Sequence, residues 1–371
     1  MKKVLFIINS LRPGGAERML TDILNAFDYT KYEVKLMCFV KGGVYSQDIP
    51  SNVTVLYPFV LGTRISNIIM RIFSIVGLCE IWQRWCVRKS TSDEYDAIIS
   101  YLEGYPVKIH SYILDRGKKN VSFIHTDLNA FPDAMSQFKT RDELATIYDK
   151  MSHLVFVSSY AETAFISVLP EVKTLKSVLP NFIDVDKILK MGDEYTVQAD
   201  MFTIVTVGRL VAVKGFEIIP RLAAELKEQG YKVRFLIVGE GSERQHLESL
   251  IKEMDVEDRV SLEGFHKNPY PYLKAADAYI STSISEGMPL SICEAMAFGK
   301  AVVASKTAGA QFLLADETGI LVDNNAHSYV SEIERLMEND SLRNEIGKRA
   351  FKKALGYNKN KYMTSLYSFI G

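Results

Sequence analysis

The sequence predicts an α/β protein with two doubly wound parallel sheets in tandem. Three observations lead to this prediction. A chain of 371 residues is too long for one hydrophobic core and fits two domains of ordinary size. Short β-branched runs alternate with longer helical patterns, which is typical of parallel sheets with helices on both faces. The alternation pauses near residue 184 and then begins again.

Ten short apolar runs have the length and composition of buried strands. They are residues 4–8, 34–39, 97–101, 121–124 and 154–157, then residues 202–207, 233–238, 260–262, 278–281 and 301–304. Between the two sets, the segment from Pro180 to Asp184 supplies a turn, and residues 192–200 are polar and without periodicity. We therefore expect two Rossmann-like domains facing a cleft: residues 1–183, joined by a C-terminal helix 358–371, and residues 184–357.

The composition argues against several classes of function. Apolar residues make up 47% of the chain and charged residues 24%, close to globular averages. A formal net charge of -1 argues against nucleic-acid binding, which favours a strongly basic face. The 4 cysteines show no Cys-x-x-Cys spacing and the 6 histidines are scattered, so we expect neither disulfides nor zinc. The apolar run at residues 4–8 is too short for a signal peptide, which favours a cytoplasmic location.

Residues 65–87 carry apolar side chains at helical spacing with arginines between them. Arg71 and Glu80 interrupt the apolar face, which argues against a transmembrane span. Two interpretations stay open at this point. The helix packs on the first sheet, or it docks on an anionic membrane surface.

The most informative segment is residues 283–299, which follows a predicted strand and opens a helix. Pro289 suits the first turn of that helix and Gly299 its end. The free N–H groups around residues 288–291 and the helix dipole make an anion site at the carboxyl end of a sheet. Glu286 precedes this site and Glu294 follows it, so the two carboxylates can meet opposite ends of a bound diphosphate. Either glutamate alone could be an ordinary surface residue, but that does not explain the whole string.

Two cations follow the first strand of the second half. Arg209 can bind two phosphate oxygens with its forked guanidinium, and Lys214 adds a mobile point charge. Together they could neutralise a departing diphosphate, on which negative charge grows during group transfer. Solvation at the surface is the alternative for each.

Five motifs occur along nearly the whole chain: Gly14-Gly15-Ala16-Glu17-Arg18, Pro180-Asn181 with Asp184, Gly208-Arg209-Leu210 with Lys214-Gly215, Val238-Gly239-Glu240-Gly241, and Glu286 with Glu294, separated by seven residues. In this order they resemble the family-four retaining glycosyltransferases of the glycosyltransferase-B fold. The resemblance implies a nucleotide-sugar donor site mainly in the second domain and an acceptor site mainly in the first. It also implies no metal and no cofactor. Phe182 stands where the family commonly has glycine.

The resemblance also assigns roles to single residues. Arg209 and Lys214 would hold the diphosphate, Glu294 the ribose hydroxyls and Glu286 the donor sugar. His125, at a predicted strand end, would touch the transferred sugar. The expected catalytic residues are Glu286, Arg209, Lys214 and His125, and the expected donor-binding residues are Gly14, Gly15, Arg209, Lys214, Gly264, Phe265, Glu286, Gly287, Met288, Pro289, Leu290, Ser291 and Glu294.

Some of these assignments have structural alternatives. The Gly14-Gly15 loop lets a substrate approach the backbone closely, but it could equally be a turn. His125 could be a structural histidine. Contacts with the nucleotide base are expected from residues 263–266, largely through backbone atoms. UDP is the expected nucleotide of the donor because it is frequent in the family.

Two further motifs are dismissed. Asp184 and Asp186 have the spacing of a metal-binding Asp-x-Asp pair, but they lie in the turn between the domains. Gly239 and Gly241 begin like a dinucleotide-binding fingerprint, which then lacks its third glycine. Neither supports a metal or a nicotinamide cofactor.

The expected reaction is sugar transfer with retention at the anomeric carbon. No two carboxylates are spaced to act as nucleophile and acid, so we expect a same-face route in which the leaving phosphate accepts the acceptor proton. A nucleotide-sugar 2-epimerase and a non-catalytic nucleotide-sugar sensor are the alternatives. Residues 65–87 favour a lipid-linked or surface-polysaccharide acceptor, and peripheral contact with the inner face of an anionic membrane, over a glycogen- or sucrose-type acceptor.

Overall fold

The computed structural model describes residues 1–59, 78–91, 93–128 and 134–371. The chain forms two compact units. The first comprises Met1–Asn181 together with Lys359–Gly371, and the second comprises Phe182–Asn358. The boundary lies two residues before the one expected from sequence, and the C-terminal helix belongs to the first unit.

In its described part, the first unit has a parallel sheet of 7 strands in the order β3-β2-β1-β4-β5-β6-β7. The strands, in chain order, are β1 Lys2–Ile8, β2 Tyr32–Cys38, β3 Thr54–Leu56, β4 Tyr95–Ser100, β5 Gly117–Ile124, β6 His153–Phe156 and β7 Lys176–Val178. The helices are Gly15–Ala26, Cys79–Ser90, Tyr105–His110, Arg141–Asp149, Ser159–Val168 and Lys359–Ile370. The central strands are buried on both faces, which explains their continuous apolar runs.

The second unit has a parallel sheet of 6 strands in the order β10-β9-β8-β11-β12-β13. Its strands are β8 Phe202–Val207, β9 Val233–Val238, β10 Val260–Gly264, β11 Ala278–Ser281, β12 Ala301–Ser305 and β13 Ile320–Val322. Its helices are Val185–Met191, Ile218–Glu228, Arg244–Glu253, Tyr270–Ala275, Leu290–Ala297, Ala308–Leu313, Ala326–Glu338 and Asp340–Ala354. Two doubly wound α/β units are therefore present, as the sequence predicts.

The apolar pattern of the sequence does not predict three of the strands, β3, β7 and β13. Each has only 3 residues and lies at an edge of its sheet. Three residues are too few to predict a strand, even in β13 where all three are apolar, and these segments become strands because a neighbouring strand pairs with them.

Both sheets contain a topological switch point. In the first unit the chain runs outward from β1 to β3 and then returns to place β4 beside β1. In the second it runs outward from β8 to β10 and returns to place β11 beside β8. Because loops diverge where the strand order reverses, the carboxyl ends of these strands are where open α/β sheets bind ligands.

The C-terminal helix Lys359–Ile370 packs on the first unit through its aromatic residues. The Tyr367 ring stacks on Tyr32 at 5.1 Å between centroids and meets Phe27 edge-on at 5.5 Å. Its hydroxyl accepts a hydrogen bond of 2.9 Å from the Asp28 backbone N–H. Aromatic burial and one polar anchor thus tie the end of the chain to its beginning.

The predicted helix at residues 65–87 is only partly within the described residues, since residues 60–77 lie outside them. Cys79–Ser90 is a helix whose Val87 is fully buried, with Trp82 and Cys86 packed on the core of the first sheet. Among the helices of the described ranges, none is both long and apolar enough to cross a bilayer.

Candidate donor site and its counterpart in the first unit

The loops that follow β8 and β11 are hydrogen-bonded to each other at the switch point of the second unit. The Ile284 N–H donates to the Val213 carbonyl at 2.8 Å, and the Thr282 hydroxyl donates to the Lys214 carbonyl at 2.8 Å. Gly215 has φ +60, and a Cβ there would overlap the Thr282 carbonyl oxygen. Only glycine suits this left-handed, crowded position, so the Lys214-Gly215 step fixes the approach of the two loops.

Lys214 and Glu286 form an ion pair across these loops. The Lys214 Nζ donates to Glu286 Oε1, and the Ser283 hydroxyl donates to the same oxygen at 3.0 Å. The two side chains are 19% and 18% exposed. Lys214 is therefore held in place rather than solvated. A phosphate arriving here would meet a cation that is already positioned.

Arg209 stands on a fixed backbone with an exposed side chain. The Gly208 N–H donates to the Val238 carbonyl at 3.0 Å, and the Leu210 N–H donates to the Glu240 carbonyl at 2.9 Å. Within the described ranges, the Arg209 guanidinium makes no hydrogen bond and no ion pair. Its donors are thus available to an anionic ligand.

The helix Leu290–Ala297 begins without a side-chain cap. Pro289 is its N-cap residue, one position before the predicted first turn, and Gly299 lies just past its end with φ +65. The preceding residues Gly287 and Met288 are buried. A helix start that no side chain caps offers N–H groups and the positive end of the dipole to an anion, with Leu290 and Ser291 in the first turn.

Gly309 braces the loop before this helix, and sequence reasoning missed it. Its N–H donates to the Glu286 carbonyl at 2.8 Å. A Cβ on Gly309 would lie 2.6 Å from Pro289 Cδ and 2.9 Å from the Glu286 carbonyl oxygen. The Thr307-Ala308-Gly309 step after the run 301–304 is a strand-to-helix signal that could have drawn attention to it.

Glu294 is a buried carboxylate, 3% exposed, in the middle of the helix. It accepts a hydrogen bond of 3.2 Å from the Tyr270 hydroxyl. The structure therefore excludes the alternative of an ordinary helix-surface glutamate. A buried carboxylate is costly unless hydrogen-bond donors satisfy it, and sugar hydroxyls are such donors.

The segment expected to contact the base, residues 263–266, begins with the last two residues of β10. Gly264 has φ +79, and the Phe265 side chain is 47% exposed. Beside them, the Tyr272 hydroxyl donates to Glu263 Oε2 at 3.1 Å and contacts His266 Nε2 at 3.0 Å. Burial and then the Glu263 charge raise the pKa of Tyr272 to about 12, so this phenol stays protonated and keeps donating.

The two dismissed motifs have structural explanations. A Cβ on Gly239 would overlap the Gly208 carbonyl, and one on Gly241 would overlap the Leu210 carbonyl. These glycines therefore let the loops after β8 and β9 touch. Asp184 caps the helix Val185–Met191 by accepting from the Lys187 N–H at 3.2 Å. Among the residues described, no cluster of three histidine, cysteine or acidic residues could hold a metal ion.

In the first unit, Gly14 is the N-cap of the helix Gly15–Ala26. Its backbone is extended, and a Cβ would overlap the Glu17 carboxylate. The Glu17 carboxylate ends a flexible side chain that can move aside, so this contact alone does not require glycine. This contact neither requires nor excludes an approaching substrate.

His125 follows β5 with its imidazole against Tyr101, at 4.8 Å between ring centroids. Its Nε2 is buried and finds no hydrogen-bond partner among the described residues. Burial lowers the pKa of His125 to about 3, so the ring is neutral at physiological pH. A buried ring nitrogen without a partner is unusual and points to an atom that a ligand would satisfy.

Glu103, which the sequence analysis did not single out, positions the His125 loop. Its carboxylate accepts from the His125 backbone N–H at 2.9 Å and from the Thr126 hydroxyl at 2.6 Å. It follows β4, a strand of the switch point. An acidic residue next to glycine directly after a predicted strand was the available signal.

The structure thus brings Arg209, Lys214, Glu286, the loop 287–289 and the start of the helix Leu290–Ala297 to one switch point of the second unit. His125, Gly14 and Gly15 lie at carboxyl ends of strands in the first. A pair of doubly wound parallel sheets with such sites defines a protein of the glycosyltransferase-B fold.

Comparisons with known proteins agree. Residues 192–353 match the family described as glycosyl transferases group 1. The HepE protein of Anabaena, whose crystal structure contains UDP and glucose, superposes with a TM-score of 0.75 and 22% identity over 99% of this chain and 100% of that one. The second unit is therefore similar in sequence to the glycosyl transferases group 1 family.

Two curated relatives are also similar in sequence. The N-acetylgalactosamine-N,N'-diacetylbacillosaminyl-diphospho-undecaprenol 4-alpha-N-acetylgalactosaminyltransferase of Campylobacter jejuni is 26% identical over 97% of both chains. The lipopolysaccharide core biosynthesis glycosyltransferase LpsE of Rhizobium meliloti is 28% identical over 51% of this chain and 56% of that protein. The roles of single residues stay predictions.

Proposed function

We propose that this glycosyltransferase transfers a sugar from a UDP-sugar, with retention, to a hydroxyl of a lipid-linked or growing surface-polysaccharide glycan. The observation that carries the proposal is the switch point of the second unit. There the available guanidinium of Arg209, the Lys214 amine that Glu286 holds, and an uncapped helix start bring cationic and N–H donors to one loop cluster. A diphosphate leaving group needs such charge as its bond to the sugar breaks.

In the proposed reaction, the bond between the anomeric carbon and the β-phosphate oxygen breaks. The acceptor oxygen forms its bond to the same carbon on the same face, and its proton passes to a leaving phosphate oxygen. Arg209 and Lys214 stabilise the negative charge that grows on this diphosphate, which is why the proposal requires no metal. Glu286 positions the donor sugar.

The lipid-linked acceptor and the donor are supported by the relatives. The Campylobacter protein is named for an undecaprenol-linked substrate and the Rhizobium protein for lipopolysaccharide core synthesis. UDP is present in the solved HepE structure. We place this enzyme on the cytoplasmic side, in peripheral contact with an anionic membrane surface.

Thermal unfolding with UDP-, GDP- and ADP-sugars tests the donor. The matching nucleotide at 100 times its dissociation constant should stabilise the protein by about 2.7 kcal/mol, and UMP should stabilise it less than UDP because one phosphate contact is lost. Equal shifts for all three nucleotides would contradict a UDP-specific site.

Product analysis tests the reaction itself. With donor and acceptor, an anomeric configuration matching the donor is expected by NMR. A changed sugar nucleotide without acceptor would indicate a 2-epimerase instead, and binding without turnover on any acceptor would indicate a sensor.

A further inference from the structure

The helix Cys79–Ser90 has two chemically different faces. One face, with Val87 fully buried and Gln83 7% exposed, packs on the first unit, where the Trp82 and Phe59 rings lie 5.3 Å apart. The opposite face carries large apolar side chains in water: Ile81 is 64% exposed and Trp85 is 58% exposed. The helix is thus anchored by one face while the other stays uncovered.

Cations are interleaved with the exposed apolar residues. Lys89 Nζ lies 4.8 Å from the Trp85 ring centroid, and the Arg84 guanidinium lies 5.2 Å from the Tyr112 ring centroid. Neither Arg84 nor Lys89 forms an ion pair with any residue in the described part of the chain. Arg88, by contrast, is neutralised by two hydrogen bonds to Asp115, of 2.7 and 2.8 Å. The exposed face therefore has net positive charge.

The geometry points to this exposed face as the surface by which the enzyme docks on an anionic lipid bilayer. We call the face formed by Leu78, Ile81, Arg84, Trp85 and Lys89 the docking face. Its apolar side chains enter the headgroup boundary while its cations remain at phosphate level, as in helices that lie in the plane of a membrane. Tryptophan is favoured at that depth because its ring is apolar and its N–H is polar.

Charge distinguishes a membrane from a second copy of this chain. A two-fold contact would pair the docking face with itself, so that unneutralised cations would meet cations. An anionic lipid surface offers opposite charge to every cation at once. The inference deepens the proposed function, on whose lipid-linked acceptor it rests.

Sedimentation with vesicles tests the docking face. The full chain should bind phosphatidylcholine vesicles containing phosphatidylglycerol and bind pure phosphatidylcholine weakly. Ile81→Gln with Trp85→Gln should lower the partition coefficient at least about tenfold, and Lys89→Gln about fivefold on anionic vesicles only. Leu175→Gln is the matched control, because Leu175 is also 64% exposed on the first unit, and it should bind like the parent.

Trp85 provides a direct readout of its own position. The chain has 2 tryptophans, so Trp82→Phe leaves Trp85 as the single tryptophan, whose emission can be excited selectively over that of the tyrosines. Its emission should shift to the blue on anionic vesicles and be quenched by brominated lipid. Unchanged emission, or equal vesicle binding by the double glutamine variant and the parent, overturns the inference. So does a parent dimer that the double variant converts to monomer without change in vesicle binding.

Activity separates this inference from the proposed reaction. The double glutamine variant should retain parental turnover on a short, soluble acceptor and lose turnover on acceptor embedded in vesicles. If no acceptor is glycosylated but vesicle binding still depends on the docking face, the proposed reaction fails and the docking face stands.

Discussion

The switch points of the two units offer opposite kinds of chemistry. In the second unit, Lys214 and Glu286 form an ion pair that is about one-fifth exposed, next to the available guanidinium of Arg209. In the first unit, His125 is neutral, and its Nε2 is buried without a described partner. The same topology thus holds an ion pair and an exposed guanidinium in one unit, and a neutral, buried imidazole on a loop held by the Glu103 carboxylate in the other.

The difference would follow from the ligands proposed for the two sites, a diphosphate in the second unit and a sugar in the first. A diphosphate carries charge that has to be matched, and matched charges stay partly exposed because full burial of an ion pair is costly. A neutral sugar hydroxyl offers only hydrogen bonds, and these discriminate best between ligands when they satisfy a buried polar atom. We therefore expect substitutions in the second unit to act on charge stabilisation and substitutions in the first to act on sugar recognition.

Arg209→Ala should cause the largest loss. Without the guanidinium the departing diphosphate loses a charged donor, so turnover should fall by about 10²- to 10³-fold. The melting temperature should hardly change, since the side chain is exposed and such substitutions usually lie within about 0.5 kcal/mol. Arg221→Ala removes another exposed arginine and is the control. Equal activity of the Arg209 variant and its control would remove the charge role.

A double-mutant cycle on Lys214→Ala and Glu286→Gln should show the next largest effect. Each single change should lower turnover about 10²-fold, because Lys214 stabilises the phosphate and Glu286 the sugar. Because the two side chains are paired, the double variant should lose less than the sum of both. Strict additivity in kcat would mean that the ion pair does not position either group.

His125→Phe should have a smaller effect on catalysis, about tenfold in kcat/KM, expressed mainly as altered discrimination among donor sugars. Its stability at pH 7 should change by less than about 1 kcal/mol, since the change removes a buried atom without a described partner.

His110→Phe is the contrasting variant. His110 is fully buried, with ring contacts of 3.2 Å to Ser100 Oγ and 2.9 Å to Asn120 Oδ1. Phenylalanine would leave the Ser100 and Asn120 side chains without their hydrogen-bond partner, which should lower the free energy of unfolding by about 2 kcal/mol or more. If His125→Phe lowers the stability as much as His110→Phe does, then His125 also has a structural role.

Acid should lower the free energy of unfolding through both buried histidines, His125 and His110. Burial lowers the pKa of His125 to about 3 and that of His110 to about 4, below about 6.5 in the unfolded chain. The unfolded state therefore binds protons first as the pH falls. Each ring's stability contribution is complete above pH 6.5 and is lost below it, at about 1.4 kcal/mol per pH unit. His125→Phe should flatten this decline in urea unfolding between pH 6.5 and 4.

For the predicted helix at residues 65–87, the sequence suggested two alternatives that the structure shows to be compatible. Packing on the first sheet and docking on a membrane stood as alternatives. In the described part, Val87 packs on the sheet while Trp85 is exposed, so one helix leaves room for both. Periodicity reveals that two faces exist, but only the position of the sheet reveals which face it covers.

Glycine positions show a similar limit. The motif at Gly239 and Gly241 was dismissed as a fingerprint, yet each glycine is required where loops touch. At Gly309 the Thr307-Ala308-Gly309 step marks a strand-to-helix turn, but it records nothing of the approach of Pro289. A close backbone contact between segments far apart in sequence leaves a glycine at one of them and no local pattern.

The sequence by itself determined the two doubly wound sheets and the string from Glu286 to Glu294, because apolar runs and strand-to-helix turns are local and periodic. Only the tertiary structure decided that Lys214 is held by Glu286, that Glu294 is buried against Tyr270, and that Glu103 fixes the His125 loop. The physical reason is that charge pairing and desolvation depend on which strands become neighbours. At a switch point those strands are far apart in the chain.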